Sequence, residues 1–219
     1  MPGRLIAIEG IDGAGKGTQA ELLRARFEAA GRSTALLSFP RYDETHFGGY
    51  IADYLNGRFG ALEAIDPFFA ALLFAGDRLE SKPVLIEALA HNEIVICDRY
   101  VGSNIAHQGA RASEANRGEL IRRIETVEFE IHALPRPATT IFLDASVPTA
   151  KTLIARKAAR SYTEHREDLH EADAVYLDAV RSVYRRICED SPGWIRVEID
   201  RAERLRSIDE VAAEIWRVL

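Results

Sequence analysis

A glycine-rich segment near the start of the chain carries the clearest chemistry in the sequence. Gly10 to Thr18 reads GIDGAGKGT, with the spacing G-x-x-x-x-G-K, and lies between an apolar run at Arg4–Glu9 and helical periodicity from about Lys16 to Ala30. Glycines allow successive backbone N–H groups to face one anion, and the N-terminus of the next helix adds its dipole and free N–H groups. Lys16 adds a flexible positive charge, so the segment predicts a nucleoside triphosphate site. The residues expected to bind the triphosphate there are Gly10, Ile11, Asp12, Gly13, Ala14, Gly15, Lys16, Gly17 and Thr18.

A carboxylate and an arginine at the end of another apolar run also suit phosphate chemistry. The run Glu93–Asp98 ends in the pair Asp98-Arg99, and parallel sheets bind ligands at the carboxyl ends of their strands. Asp98 can hold Mg²⁺ directly or through water, and the planar guanidinium of Arg99 can bridge two phosphates. Gly17 stands where the usual loop has a magnesium-binding Ser or Thr, so Thr18 is the second candidate ligand. The plainer alternative is that Asp98 only caps the next helix.

Phosphoryl transfer depends mainly on positioning and on compensation of charge, so further arginines are expected on an element that closes over the phosphates. Arg156, Arg160 and Arg166 are the candidates, in a segment of mixed charge at about 156–171. Arg156 and Arg160 are four residues apart and would share one helix face. The alternative is an ordinary solvated charge run. The predicted catalytic set is Lys16, Asp98, Arg99, Arg156 and Arg160.

The elements that must position these groups alternate between strand and helix along the whole chain. Apolar runs rich in β-branched residues, typical of a parallel sheet covered on both faces, occur at Arg4–Glu9, Ser33–Phe39, Glu93–Asp98, Thr139–Asp144 and Trp194–Ile199. Helical periodicity fills the intervals at about Phe47–Leu55, Pro67–Ala90, Ser113–Ala133, Pro148–Ala159, Glu171–Asp190 and Arg204–Val218. The pattern predicts a P-loop NTPase fold of the α/β class, in one domain spanning residues 1–219 with a short lid.

Composition narrows the possible functions. The chain has 219 residues, 47% of them hydrophobic, and a net charge of -6, which does not favour a nucleic-acid partner. The longest apolar stretch, Phe68 to Ala75, is too short to span a bilayer, so no membrane partner is expected. Two distant cysteines, Cys97 and Cys188, indicate a reduced, cytoplasmic protein rather than a disulfide framework or a zinc site.

Several strings, in order, resemble the thymidylate kinase family. They are EGIDGAGKGTQ, FPRY (Phe39–Tyr42), LLFAGDR (Leu72–Arg78), DRYVGSNIAHQG (Asp98–Gly109) and LPRPATTIFLD (Leu134–Asp144). The resemblance covers most of the chain. It implies transfer of a phosphoryl group from ATP–Mg to dTMP, a five-stranded parallel sheet with helices on both faces, and a homodimer.

The resemblance also implies an acceptor site. Phe74 would stack on thymine and Arg78 would bind a base carbonyl, which suits thymine or uracil because arginine only donates hydrogen bonds. Asn104 would pair with a base edge. His107 stands where the family often has a tyrosine that rejects ribose, so the resemblance leaves discrimination against a 2′-OH open. The full set implied to bind dTMP is Asp12, Phe39, Arg41, Tyr42, Phe74, Arg78, Arg99, Ser103, Asn104 and His107.

Two alternatives stay open from the sequence. One is another kinase of pyrimidine nucleotides, deoxynucleotides or deoxynucleosides, because a methyl group separates dTMP from dUMP by only about 1–3 kcal/mol. The other is a P-loop switch protein that binds a nucleotide and signals to a partner. A switch would not need Phe74, Arg78 and Asn104 to converge on one cavity.

Overall fold

A parallel sheet forms the centre of the molecule. The computed structural model describes residues 3–61, 64–158, 174–201 and 204–219. Within these ranges, five strands pair in the order β2-β3-β1-β4-β5, all parallel. They are β1 (Arg4–Glu9), β2 (Thr34–Ser38), β3 (Ile94–Asp98), β4 (Thr139–Asp144) and β5 (Trp194–Glu198). The predicted five-stranded parallel sheet is therefore confirmed.

Helices cover both faces of this sheet. They are α1 (Lys16–Ala29), α2 (His46–Leu55), α3 (Pro67–His91), α4 (Val101–Arg111), α5 (Glu114–Glu125), α6 (Val147–Ala158), α7 (Ala174–Asp190) and α8 (Ile208–Val218). A π-helical segment, Thr126–Ile131, follows α5, and a short antiparallel pair, β6 (Asp200–Arg201) and β7 (Arg204–Leu205), precedes α8. None of the helices in the described ranges is long and apolar enough to cross a membrane.

Alternate residues of β1 enter two different cores. Ile6 and Ile8 pack in a cluster with residues of α1, α7 and α8, whereas Leu5 and Ala7 pack in a second cluster with residues of α3, α4 and α5. Side chains of a strand point alternately to its two faces, so both faces of β1 are buried. This is why the strands read as continuous apolar runs rather than as alternating patterns.

The strand register places the two candidate phosphate-binding segments side by side. In β1 and β3, Ile8 is the partner of Asp98. The loop that follows Glu9 and the turn at Arg99 therefore leave the sheet at the same edge. That edge is where parallel α/β sheets bind their ligands.

Two of the predicted helices need correction. The helix predicted at Arg204–Val218 was wrong at its start, because Arg204–Leu205 pairs with Asp200–Arg201 and the helix begins at Ile208. Ser207 and Glu210 form a capping box there, which fixes the helix start. The helix predicted at Ser113–Ala133 divides into α5 and the π-helical segment. Most of the predicted lid segment, about 156–171, lies outside the described residues.

Candidate active site

The loop from Gly10 to Thr18 is a tight turn that only glycine can form at two positions. Gly10 and Gly13 have φ angles of 149° and 80°. A Cβ atom at Gly10 would lie 2.6 Å from the Leu143 carbonyl oxygen, and one at Gly13 would lie 2.4 Å from the Ala150 oxygen. The loop therefore packs directly against the end of β4 and the start of α6. Helix α1 begins at Lys16, so its free N–H groups face the concave side of the loop.

Lys16 lies across this loop. Its Nζ donates to the carbonyl oxygens of Gly10 at 3.0 Å and Ile11 at 2.9 Å. Burial lowers its pKa to about 8, and the positive charge of Arg99 acts in the same direction. A phosphate anion is a better partner for a buried ammonium group than two neutral carbonyls, so bound phosphate should draw Nζ from these contacts.

Arg99 contacts the same loop from the end of β3. Its backbone is in the left-handed region, with φ 64°, and its N–H donates to the Ile8 oxygen at 2.9 Å. The guanidinium forms an ion pair with Asp12 and donates from Nη1 to Ser103 Oγ at 3.2 Å. Burial acts to lower the pKa of Arg99, but the charge of Asp12 opposes it and the pKa is raised. The arginine is therefore a permanent cation beside the loop.

Glu9 holds this turn in place, a role that was not predicted from the sequence. The carboxylate is completely buried and accepts hydrogen bonds from Tyr100 N at 2.8 Å, Ser103 Oγ at 2.6 Å and Tyr184 Oη at 2.9 Å. Burial raises its pKa. A charged residue at the end of a strand predicted to be buried on both faces was the available signal.

The predicted metal ligands differ in their surroundings. Asp98 Oδ1 is buried and accepts no hydrogen bond, whereas Thr18 is exposed. A Cβ atom at Gly17 would lie 3.1 Å from Asp98 Oδ2, so glycine allows the carboxylate to approach the start of α1. Among the described residues, no group of three or more His, Cys, Asp or Glu side chains could hold a metal. One carboxylate beside a phosphate site suits Mg²⁺, which binds with few protein ligands and with substrate oxygens.

Two residues of the predicted acceptor site, Arg78 on α3 and Asn104 on α4, meet at Glu128 of the π-helical segment. Arg78 Nε donates to Glu128 Oε2 at 2.9 Å, its Nη2 contacts Oε1, and Asn104 Nδ2 donates to Oε1 at 2.8 Å. Phe74 lies one turn before Arg78 on α3, half-buried, with its ring edge-on to Tyr54 at 6.3 Å. The sequence did not single out Glu128, because its segment has ordinary helical periodicity and its partners are distant in the chain.

The segment after β2 is tied to α3 by a second buried carboxylate that the sequence did not indicate. Asp77 accepts from Arg41 N at 3.1 Å and from Thr45 Oγ1 at 2.6 Å. Phe39 is buried, and its N–H donates to the Asp98 oxygen at 3.0 Å, which joins this segment to the end of β3. The Arg41 guanidinium forms an ion pair with Glu44. Asp77 thus fixes the backbone from which Arg41 extends.

The remaining candidate residues lie apart from the phosphate loop and from the Glu128 cluster, or outside the described residues. Tyr42 is exposed, and Arg156 is exposed near the end of α6. His107 contacts α7, where its Nδ1 lies 3.1 Å from Tyr176 Oη. Tyr100 precedes α4 as its N-cap, and its hydroxyl donates to the Pro135 oxygen at 3.0 Å. Arg160 and Arg166 lie outside the described residues.

Comparisons with known proteins agree on one family. The family model described as "Thymidylate kinase" matches residues 8–214. The chain is 36% identical to the thymidylate kinase of Mycobacterium tuberculosis, over 90% of this chain and 92% of that protein. It is 31% identical to the thymidylate kinase of Deinococcus radiodurans, over 98% and 95% of the two chains. The solved structure of thymidylate kinase from Candida albicans matches with a TM-score of 0.72 and 25% identity, covering 99% of this chain and 91% of that one.

The burial of Lys16 predicts that binding of a nucleoside triphosphate takes up a proton in mildly alkaline solution. In the protein without nucleotide, the Lys16 side chain has a pKa of about 8. Bound phosphate favours the charged form and raises that pKa. Between the two values, the complex holds a proton that the free protein lacks, so affinity falls as pH rises above about 8.

Calorimetry in two buffers of different ionisation enthalpy, at about pH 9, should show uptake of close to one proton per nucleotide. Lys16→Arg is the control, because arginine does not titrate in this range and the uptake should disappear. Equal uptake by the two proteins would assign the proton to another group.

Proposed function

The chain belongs to the thymidylate kinase family, and we propose that it transfers the terminal phosphoryl group of ATP to dTMP, giving ADP and dTDP. Membership of this family makes the chain a phosphotransferase. The observation that supports the proposal best is an unbroken line of contacts from the phosphate loop to the acceptor residues. Asp12 in the loop pairs with Arg99, Arg99 donates to Ser103, and the next residue, Asn104, shares Glu128 with Arg78.

On the donor side, the loop and Lys16 bind the phosphates of ATP. The backbone N–H groups of the loop and of the first turn of α1 surround the phosphates nearer the sugar. Lys16 leaves the oxygens of Gly10 and Ile11 and contacts the outer phosphates. Asp98 would hold Mg²⁺ directly or through water. When bound, that ion neutralises charge on the triphosphate.

On the acceptor side, α3 and α4 bind the nucleoside, and arginines bind its phosphate. Phe74 offers an aromatic face to the base, and Arg78 and Asn104 offer polar groups to its edge. Arg41 is held beside the site by Asp77 and can exchange Glu44 for the acceptor phosphate. Arg99 lies between the two halves, where its planar group can contact both the transferred phosphoryl and the acceptor. These roles position the two phosphates in line and compensate their charge.

A second candidate function is phosphorylation of a related pyrimidine nucleotide such as dUMP. The solved Candida albicans protein is described as having broad substrate specificity. In this chain, the position on α4 where the family often has a tyrosine is His107, which contacts Tyr176. A slow nucleotide-binding switch is a weaker candidate, because it would have no use for the buried polar cluster of Arg78, Asn104 and Glu128.

The proposal also covers the oligomeric state and the cellular compartment of the protein. Helix α3 exposes several large apolar side chains, which fits a surface between two copies of the chain. They are Phe69, Leu79, Val84 and Ile86. Cys97 and Cys188 are free thiols, which fits a reducing cytoplasm. We therefore infer a cytoplasmic homodimer.

A coupled assay that measures ADP release with Mg–ATP tests the proposed reaction. With dTMP, dUMP, dCMP, AMP and thymidine offered separately, kcat/KM should be highest for dTMP and next for dUMP. dCMP, AMP and thymidine should give little turnover. Arginine cannot accept a hydrogen bond from the cytosine amino group. Turnover of thymidine above dTMP would replace the proposal with a nucleoside kinase, and ATP hydrolysis unaffected by every acceptor would favour the switch.

Arg99→Ala should lower kcat for dTMP by about 10³-fold, the lower end of what an arginine on transferring phosphate contributes. Alanine keeps the backbone without the guanidinium, so thermal unfolding checks that the fold persists. Arg24→Ala is the matched control, because Arg24 also pairs with carboxylates, on the exposed side of α1. It should change kcat by less than about twofold. If both variants keep wild-type kcat, Arg99 has no part in the transfer.

A further inference from the structure

A buried carboxylate outside the predicted site orients two of the acceptor residues. Glu128 is completely buried, and Arg78 and Asn104 are each 3% exposed. The Glu128 carboxylate accepts from Arg78 Nε at 2.9 Å and contacts Nη2, and it also accepts from Asn104 Nδ2 at 2.8 Å. Burial acts to lower the pKa of Arg78, but the charge of Glu128 opposes it and the pKa is raised. The arginine therefore stays charged although it is almost completely buried.

These contacts determine which way the amide of Asn104 points. Nδ2 lies 2.8 Å from Glu128 Oε1 and 3.0 Å from the backbone oxygen of Ala71. Both partners only accept hydrogen bonds, so the donor end of the amide must face them. The opposite end, Oδ1, is buried and accepts no hydrogen bond. A buried acceptor without a donor is unfavourable, and a ligand N–H would satisfy it.

Arg78 is oriented by the same carboxylate. Its Nε and Nη2 face Glu128, which leaves Nη1 as the nitrogen outside this paired contact. Together the two side chains present a donor, Nη1, and an acceptor, Oδ1. A pyrimidine with a carbonyl at C4 and a proton on N3 matches this pair. Cytosine has an amino group at C4 and no proton on N3, so it is mismatched at both atoms.

We infer that Glu128 is a positioning residue that sets base specificity, by fixing Arg78 and Asn104 in the orientation that accepts thymine or uracil and rejects cytosine. The inference rests on the proposed function. Glu128 acts through two other side chains and does not contact the substrate itself. Its effect is discrimination between bases rather than the rate of phosphoryl transfer.

Hydrogen bonds anchor the backbone of the segment that carries Glu128. Glu128 lies in the π-helical segment Thr126–Ile131, and its backbone oxygen accepts from Leu134 N at 3.0 Å. Lys82 on α3 donates to the His132 oxygen at 2.6 Å, which ties the end of this segment to the helix that carries Arg78. Single turns of π-helix occur often at functional sites. The carboxylate and Arg78 are therefore anchored to each other through backbone as well as side chain.

Glu128→Gln tests the inference, because the amide keeps the size of the side chain and removes its charge and one acceptor. Asn104 can then reverse, and Arg78 loses its ionic partner. The ratio of kcat/KM for dTMP to that for dCMP should fall at least about tenfold. KM for dTMP should rise about tenfold, with KM for ATP unchanged and kcat for dTMP close to wild type. Glu130→Gln, an exposed residue of the same segment, is the control and should keep the wild-type ratio.

An unchanged dTMP-to-dCMP ratio in a folded Glu128→Gln protein would overturn the inference. If that variant does not fold, Glu128→Asp keeps the charge but shortens the side chain, and it should show the same fall in the ratio. Wild-type protein gives a further check, because dTMP methylated at N3 should bind at least about tenfold more weakly than dTMP. Equal binding would remove the role of Oδ1. Failure of the wild-type protein to phosphorylate dTMP would instead refute the proposed function.

Discussion

The Glu9 carboxylate ties three other parts of the molecule to the strand that leads into the phosphate loop. It lies at the end of β1, and it accepts hydrogen bonds from the turn after β3, from α4 and from α7. The hydrogen bond from Tyr100 N fixes the residue that follows Arg99, whose backbone is held in a left-handed conformation. A conformation of this kind costs about 1–3 kcal/mol and persists only where the surroundings hold it. Without Glu9, the position of Arg99 against the loop would be much less defined.

Buried carboxylates recur as the devices that orient the polar groups of this protein. Asp77 holds the backbone at Arg41, and Glu128 holds Arg78 and Asn104. Replacement of a buried ion pair by apolar side chains is often neutral or stabilising, so the Arg78–Glu128 pair is not explained by stability alone. Their common property is that each holds groups that the sequence predicts to contact a substrate. The catalytic problem of phosphoryl transfer is mainly one of position and charge, and such fixed groups address both.

The sequence predicted the features that depend on neighbouring residues. Lys16 and the loop could be identified because their spacing is a local pattern, and β1 because a buried parallel strand is apolar throughout. Arg99 could be identified because parallel sheets bind ligands at the carboxyl ends of their strands, and the end of a strand can be located from the local sequence. The strand pair Asp200–Arg201 and Arg204–Leu205 was missed because two-residue strands carry no periodicity.

Glu9, Asp77 and Glu128 could not be predicted in their roles, because each meets partners far away in the chain. Arg78 and Glu128 are 50 residues apart, and Glu9 and Tyr184 are 175 apart. Periodicity indicates which face of an element is buried, and it does not indicate which other element covers that face. The His107 contact with Tyr176 could not be predicted for the same reason, because the two residues are 69 apart in the chain.

The central claim is that one edge of the sheet binds donor and acceptor together, with Arg99 between them. A crystal structure with a bisubstrate analogue, in which adenosine and thymidine are joined through a chain of phosphates, tests this directly. We expect Lys16 Nζ and Arg99 to have exchanged Gly10, Ile11 and Asp12 for phosphate oxygens, with the thymine edge against Arg78 and Asn104. Phosphates bound away from residues 10–18, or a thymine distant from the Glu128 cluster, would contradict the account.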